Sequence, residues 1–291
     1  MNRGAAATVE TSLPRPRLGF AGGSLLLFVL LAAISWAYIL LGEKSGIANL
    51  FSRDAWAGAT KFIERMVGTG SESVPAYLSP ESWLEAAGLA YETAAMSVLA
   101  MGLVGVMALL TFMPAARNVA FGELAPSRSP VWRALFFIVK GVYIFTRGIP
   151  ELLWAMLILF FFSPGILPGA LALGIHNFGI VGKLSAEVVE DLDTRPARAL
   201  RSAGAGPFQM LAYGILPQAL PSFLTYLLYR WEVIIRTTIV VGFVGAGGLG
   251  REFRLSMSWF HYTDITLLLM VYLIMVLAVD LLSTWMRKLA R

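Results

Sequence analysis

Arg198-Ala199-Leu200-Arg201-Ser202-Ala203-Gly204, and then Ile215-Leu216-Pro217-Gln218-Ala219-Leu220-Pro221, bound the stretch whose reading decides the fold of this chain. It opens with cations on residues that permit a helix. It breaks at Gly206-Pro207 and closes on an apolar run that the two prolines are expected to stop. Long apolar segments flank it on both sides. A patterned polar segment between membrane-type segments is expected to be a docking surface, because a connection without a partner needs no such pattern.

The composition sets the flanks. Of 291 residues, 57% are hydrophobic and only 14% charged, against about 25% charged in a soluble domain. Mean hydropathy is +0.71. The missing charge implies surface that never meets water, hence a polytopic membrane protein with lipid as a partner. The chain has no cysteine, which excludes a disulfide framework, a thiolate metal site and a cysteine nucleophile. The two histidines, His176 and His261, are too far apart to hold a metal by themselves. The net charge is +5, but no basic run interleaved with aromatics appears, so nucleic acid is not an expected partner. The surplus is read as cations gathered on cytoplasmic loops.

Six spans follow from the apolar runs: 18–41, 93–113, 150–162, 170–189, 221–241 and 265–286. The first is about 24 uncharged residues, longer than a signal-peptide core, and is read as a retained helix. Residues 42–92 are polar. Trp56, Phe62, Ile63 and Met66 recur there at near-helical spacing, which predicts an amphipathic helix on the membrane surface. Ser79-Pro80 reads as a helix start. Residues 133–147 carry Lys140 at their centre and are read as an interfacial lead-in kinked at Pro150. Placing both termini in the cytoplasm puts Arg3, Arg15, Arg17, Arg117, Arg128, Arg133, Arg195, Arg198, Arg201, Arg287, Lys288 and Arg291 inside. The acid-rich loop 42–92 then lies outside, and the docking segment faces the cytoplasm. No internal repeat is visible, which weighs against an inverted-repeat secondary transporter.

Ionisable groups within spans cost about 2.5–3.5 kcal/mol each at a helix centre, so they face protein or water. The fifth span carries Arg230, Glu232 and Arg236. Glu232 and Arg236 are four apart and are expected to pair along one face. Arg230 and Arg236 are candidates to lend positive potential to an anion path, with a structural ion pair between helices as the alternative. The fourth span adds His176, Asn177, Lys183 and Glu187, with His176 and Asn177 as candidate pathway lining. Lys183 and Glu187 are expected to pair near the cytoplasmic end. Arg147 and Glu151, four apart around Pro150, are expected to fix the entry of the third span. Gly245-Ala246-Gly247-Gly248-Leu249-Gly250 satisfies G-x-G-x-x-G, yet it follows a charged membrane helix and not a strand. Gly245, Gly247, Gly248 and Gly250 are therefore read as a gate or hinge near the outer end of the fifth span. No P-loop is present: Asn177 and Leu184 spoil the one near match at Gly182-Lys183.

The docking stretch resembles the signature loop of the integral membrane subunits of ATP-binding-cassette importers. That loop has an acidic-Ala-Ala triplet, a glycine and a closing Leu-Pro. Here Ala199, Gly204 and Leu216-Pro217 stand in register, while Arg198 replaces Glu and Gly214 replaces Ile. Residues 147–154, 183–187, 229–233 and 245–250 resemble the phosphonate-transport branch, and the likeness runs from about residue 93 to the end.

The resemblance implies an all-α, six-span permease of the type I importer architecture in a bacterial inner membrane. A cytoplasmic coupling helix would lie between the fourth and fifth spans. Residues 1–92 would form an N-terminal span and external loop, and 93–291 the permease core, with a coupling loop at 195–221. Coupling to the ATPase would fall to Arg198, Ala199, Leu200, Arg201, Gly204, Ala205, Leu216 and Pro217. Partners would be two ATPase subunits, which hold ATP and Mg, a second copy of this chain and an extracytoplasmic solute-binding protein. The chain itself would have no catalytic residue and bind no cofactor. The expected solute is phosphonate, phosphite or phosphate. Another small solute such as an amino acid, or an ion-gradient-driven transporter, is the alternative.

Overall fold

The computed structural model describes residues 19–41, 46, 52–69, 74–121, 124 and 130–289. Arg3, Arg15, Arg17, Arg128 and Arg291, all used to orient the chain, lie outside these. The described residues are helical, with no strand among them. The chain divides into two compact units, 1–63 and 64–291.

In the first unit, α1 (Phe20–Leu41) is 22 residues of uncharged apolar sequence with no buried side chain. At 1.5 Å per residue it spans about 33 Å, enough to cross a bilayer core. The helix α2 (Arg53–Val67) begins in this unit and confirms the near-helical spacing of its apolar residues. Trp56, Phe62 and Ile63 are all exposed.

The second unit contains α3 (Pro80–Thr111), α4 (Arg117–Phe121), α5 (Pro130–Gly148), α6 (Glu151–Leu159), α7 (Ile166–Asp191), α8 (Arg195–Ser202), α9 (Leu216–Val241), α10 (Gly248–Ser258) and α11 (Tyr262–Leu289). Its centre is α7, which packs against α3, α5, α6 and α9. Small residues let neighbours approach it, as is common in membrane bundles. A Cβ on Gly182 would run into the Tyr143 ring, and one on Gly179 into the Tyr143–Arg147 backbone. Tyr143 is fully buried, its hydroxyl 2.8 Å from Thr111 Oγ1. On α11, Leu273, Ile274, Leu277 and Leu281 remain exposed at helical spacing, a stripe suited to lipid or a partner helix.

Three expected boundaries change. The second span starts at Pro80, as the Ser79-Pro80 signal implied, but runs unbroken for 32 residues. Charge marks where a helix leaves the membrane and not where it begins. The third span is a bent pair: α5 and α6 meet at 89° around Pro150. The nine residues of α6 reach only about 14 Å, so α6 cannot cross alone, and the supposed lead-in is the longer element. Finally, Pro217 and Pro221 do not stop a helix. Helical backbone resumes at Pro207, passes through a wider π-helical stretch, Met210–Ile215, and continues as α9. The wide turn makes room for the Pro217 ring, and the Gln218 side-chain amide donates to the Gly214 carbonyl. Among the described residues, four helices are long and apolar enough to cross a membrane, or up to six if each bent pair counts as one span.

Candidate functional site

The stretch from Arg195 to Pro217 is a short helix with a defined end, followed by a second helical start. In α8 the Arg195 N–H donates to Asp193 Oδ1 at 3.0 Å. Gly204 adopts φ +87°. Its N–H donates to the Arg201 carbonyl and that of Ala205 to the Leu200 carbonyl, at 3.1 and 3.0 Å. This pair of bonds is the Schellman closure, and its left-handed position favours glycine. Ala197 is buried and Leu200 half-buried. Both seat on Gly214, where an added Cβ would stand 3.1 Å from Ala197 Cα and 3.2 Å from Leu200 Cδ1. The glycine in place of isoleucine thus has a physical reason: α8 lies directly on it.

The outward face of α8 presents Arg198, Ala199, Arg201 and Ser202. The Arg198 guanidinium donates to Thr194 Oγ1 at 2.5 and 3.1 Å, so this cation lies along its own helix. Ala205 and Leu216 are half-buried and Pro217 is exposed. Two aromatic side chains of the same stretch, Phe208 and Tyr213, are 76% and 74% exposed. Sequence reasoning passed over both, because without the helical register nothing distinguishes them from core aromatics.

The intramembrane polar residues separate into two groups. In the first, His176, Asn177 and Arg230 come together with Glu151. Arg230 Nε donates to Asn177 Oδ1, and Asn177 Nδ2 to the Leu173 carbonyl at 2.7 Å. His176 reaches the Ile149 carbonyl with Nδ1 at 2.8 Å and Glu151 Oε2 with Nε2 at 3.2 Å. Glu151 therefore turns to His176 and not to Arg147.

The second group joins α9 to α11. Glu232 pairs with Arg287, and Arg236 Nη2 lies 3.3 Å from Asp280 Oδ1. The expected Glu232–Arg236 pair does not form. Both residues share the face turned to α11, and each finds an opposite charge there. Lys183 and Glu187 pair at 2.9 Å, as their spacing implies.

The glycine cluster forms the 61° bend between the end of α9 and α10. Gly245, Gly247 and Gly248 have φ of +112°, +98° and +63°, a left-handed run that other residues resist. A Cβ on Gly242 would fall 2.7 Å from Gly250 Cα. Two side chains of α3 cap α10: Gly248 N–H donates to Glu92 Oε2 at 3.3 Å and Leu249 N–H to Thr93 Oγ1 at 2.9 Å. Neither residue was marked by the sequence, since the two ends of each bond lie 156 positions apart. A cavity of about 880 Å³ is lined by Glu85, Glu92, Glu252 and Asp264 among others. That acidic lining does not suit an anion. Among the described residues no group of ligands could hold a metal.

An all-helical membrane subunit with two bent helix pairs among its apolar helices, and a short polar helix seated between two of them, is the class this geometry defines. The pattern of the binding-protein-dependent transport system inner membrane component covers residues 129–290. The chain belongs to that family, the permease subunits of ATP-binding-cassette importers, whose ATPase resides in other subunits. It is 36% identical over 219 residues to the phosphite transport system permease protein PtxC of Stutzerimonas stutzeri, covering 75% of each chain. It is 32% identical over 200 residues to the phosphate-import permease protein PhnE of Mycolicibacterium smegmatis, covering 69% of this chain and 36% of that one. Its fold matches the MetNI methionine ABC transporter in inward-facing conformations, with TM-score 0.61 and 19% identity, over 74% of this chain and all of that one. The type I importer permease fold is thereby established.

Proposed function

We propose that this permease imports a phosphorus oxyanion, phosphite, phosphonate or phosphate, delivered by an extracytoplasmic binding protein. The observation that carries the reading is the 36% identity, over three quarters of both chains, to a permease named for phosphite transport. Arg230, with Asn177 and His176 beside it, supports it, because a cation within the bundle favours an anion in transit. Glu232 and Arg236 would contribute through the packing of α9 on α11 and not by touching solute.

The outer face of α8, with Arg198, Ala199, Leu200, Arg201, Gly204 and Ala205, would dock on an ATPase subunit. Phe208 and Tyr213 would serve as aromatic anchors, and Leu216 and Pro217 would carry the motion into α9. Two copies of the chain would offer two such segments to two ATPase subunits that hold ATP and Mg. Both termini would be cytoplasmic, 1–92 forming an N-terminal span and external loop and 93–291 the core. The glycine turn from Gly245 to Gly250, capped from α3, would be the hinge of the outer gate.

Reconstitution with the ATPase and binding protein of the same transport system tests the solute. Uptake of labelled phosphite or a phosphonate should require ATP and ignore ionophores. Uptake of an amino acid with no uptake of any phosphorus oxyanion would end the proposal.

A further inference from the structure

At the break between α5 and α6 the hydrogen-bond donors and acceptors do not balance without an added proton. The Ile149 carbonyl only accepts, so His176 Nδ1, 2.8 Å away, carries a hydrogen. The other ring nitrogen, Nε2, stands 3.2 Å from Glu151 Oε2. In a neutral imidazole that nitrogen is a bare lone pair, and an ionised carboxylate oxygen offers only lone pairs. Two acceptors at this distance repel. One hydrogen between them turns the contact into a charge-assisted bond. We infer that His176 and Glu151 together bind one proton beyond those of a neutral imidazole and an ionised carboxylate, and that this proton ties the Pro150 break to α7.

The surroundings fit a single added proton. Arg230 reaches in from α9, its Nε donating to Asn177 Oδ1. Arg147 ends α5 just before the break, and Lys183 and Glu187 further along α7 neutralise each other. On α3, residues 93–111 include no titratable group. With the added proton bound, Arg230, His176 and Glu151 carry one net positive charge; without it they cancel. The proton therefore sets both the tie and whether these three residues carry a net positive charge.

The chain has only two histidines, so ¹⁵N-histidine labelling isolates His176 once His261→Gln removes the other signal. The full-length protein in lipid nanodiscs at pH 7 should give one of two results. Either both ring nitrogens of His176 are of the N–H type, or one is bare and ¹³C-glutamate infrared spectra show a protonated carboxyl band that Glu151→Gln abolishes. Each places one proton on the pair. A bare nitrogen with no such band overturns the inference. Glu151→Gln should leave His176 neutral with the contact kept, since an amide N–H can donate to the bare Nε2; an imidazolium persisting in that variant also counts against it. Should Glu151→Gln not fold, Glu151→Asp removes the labelled carboxyl and serves the same subtraction.

Discussion

Replacing Glu232 by alanine separates a strut from a solute contact. Glu232 and Arg287 pair across α9 and α11 with side chains only 14% and 12% exposed. Removing one partner of a buried pair costs about 3–5 kcal/mol, because the other charge is left uncompensated. Arg287 keeps some support. It donates to Ser283 Oγ at 2.6 Å and Thr284 Oγ1 at 2.9 Å, and its guanidinium carbon lies 4.2 Å from the Tyr229 ring centre. Cation–π contacts contribute about 0.5–2 kcal/mol, so Glu232→Ala should fall at the low end, about 3 kcal/mol. Arg287→Leu leaves Glu232 alone and should cost at least as much. Replacing both by leucine removes the desolvated charges together and should return to within about 1 kcal/mol of the native protein. Unfolding by steric trapping in bicelles compares the native protein with these three variants, and ATP-driven uptake is measured on the same variants. Recovered stability with recovered uptake in the double variant is the expected outcome. The reasoning fails if Glu232→Ala leaves stability within about 0.5 kcal/mol while uptake collapses, because Glu232 would then act on the solute.

Three further outcomes are expected. Gly204→Val should cost about 1–2 kcal/mol from the left-handed backbone and lower uptake-coupled ATP hydrolysis with the fold intact, whereas Gly204→Asn retains most coupling; full coupling in the valine variant contradicts the role given to the α8 closure. Gly214→Ile, which installs the residue usual in the resembling loop, should destabilise by about 1–3 kcal/mol through overpacking against Ala197 and Leu200. It should also weaken ATPase association in pull-down, and undiminished association would show that α8 can lift without consequence. Thr93→Val removes the acceptor of the buried Leu249 N–H and should cost about 1–3 kcal/mol in thermal unfolding, with Thr93→Ser largely restoring it; equal loss in both variants would mean that the methyl packing, and not the cap, holds α10.

The docking stretch illustrates how far local pattern reaches. The turn at Gly204 was legible because it encodes a backbone conformation that depends on near neighbours. The supposed stop at Pro217 and Pro221 was misjudged, since a π-helical turn and the Gln218 amide supply what proline withholds. Among the charges, Lys183–Glu187 followed from spacing alone. Glu232 and Arg236 did not, because a helix facing two opposite charges on another helix gains more across the interface than along its own surface.

By itself, the sequence determined the membrane class, most of the candidate crossings, the short polar helix between two of them and the residue types of the polar centre. These follow from composition, run length and short-range spacing, which survive without knowledge of neighbours. Only the tertiary structure decided the partner of each charge, the shared break around Pro150, the seating of α8 on Gly214 and the capping of α10 from α3. Each of those joins residues separated by many positions in the chain, and in a bilayer interior a polar group takes whichever partner packing brings within reach.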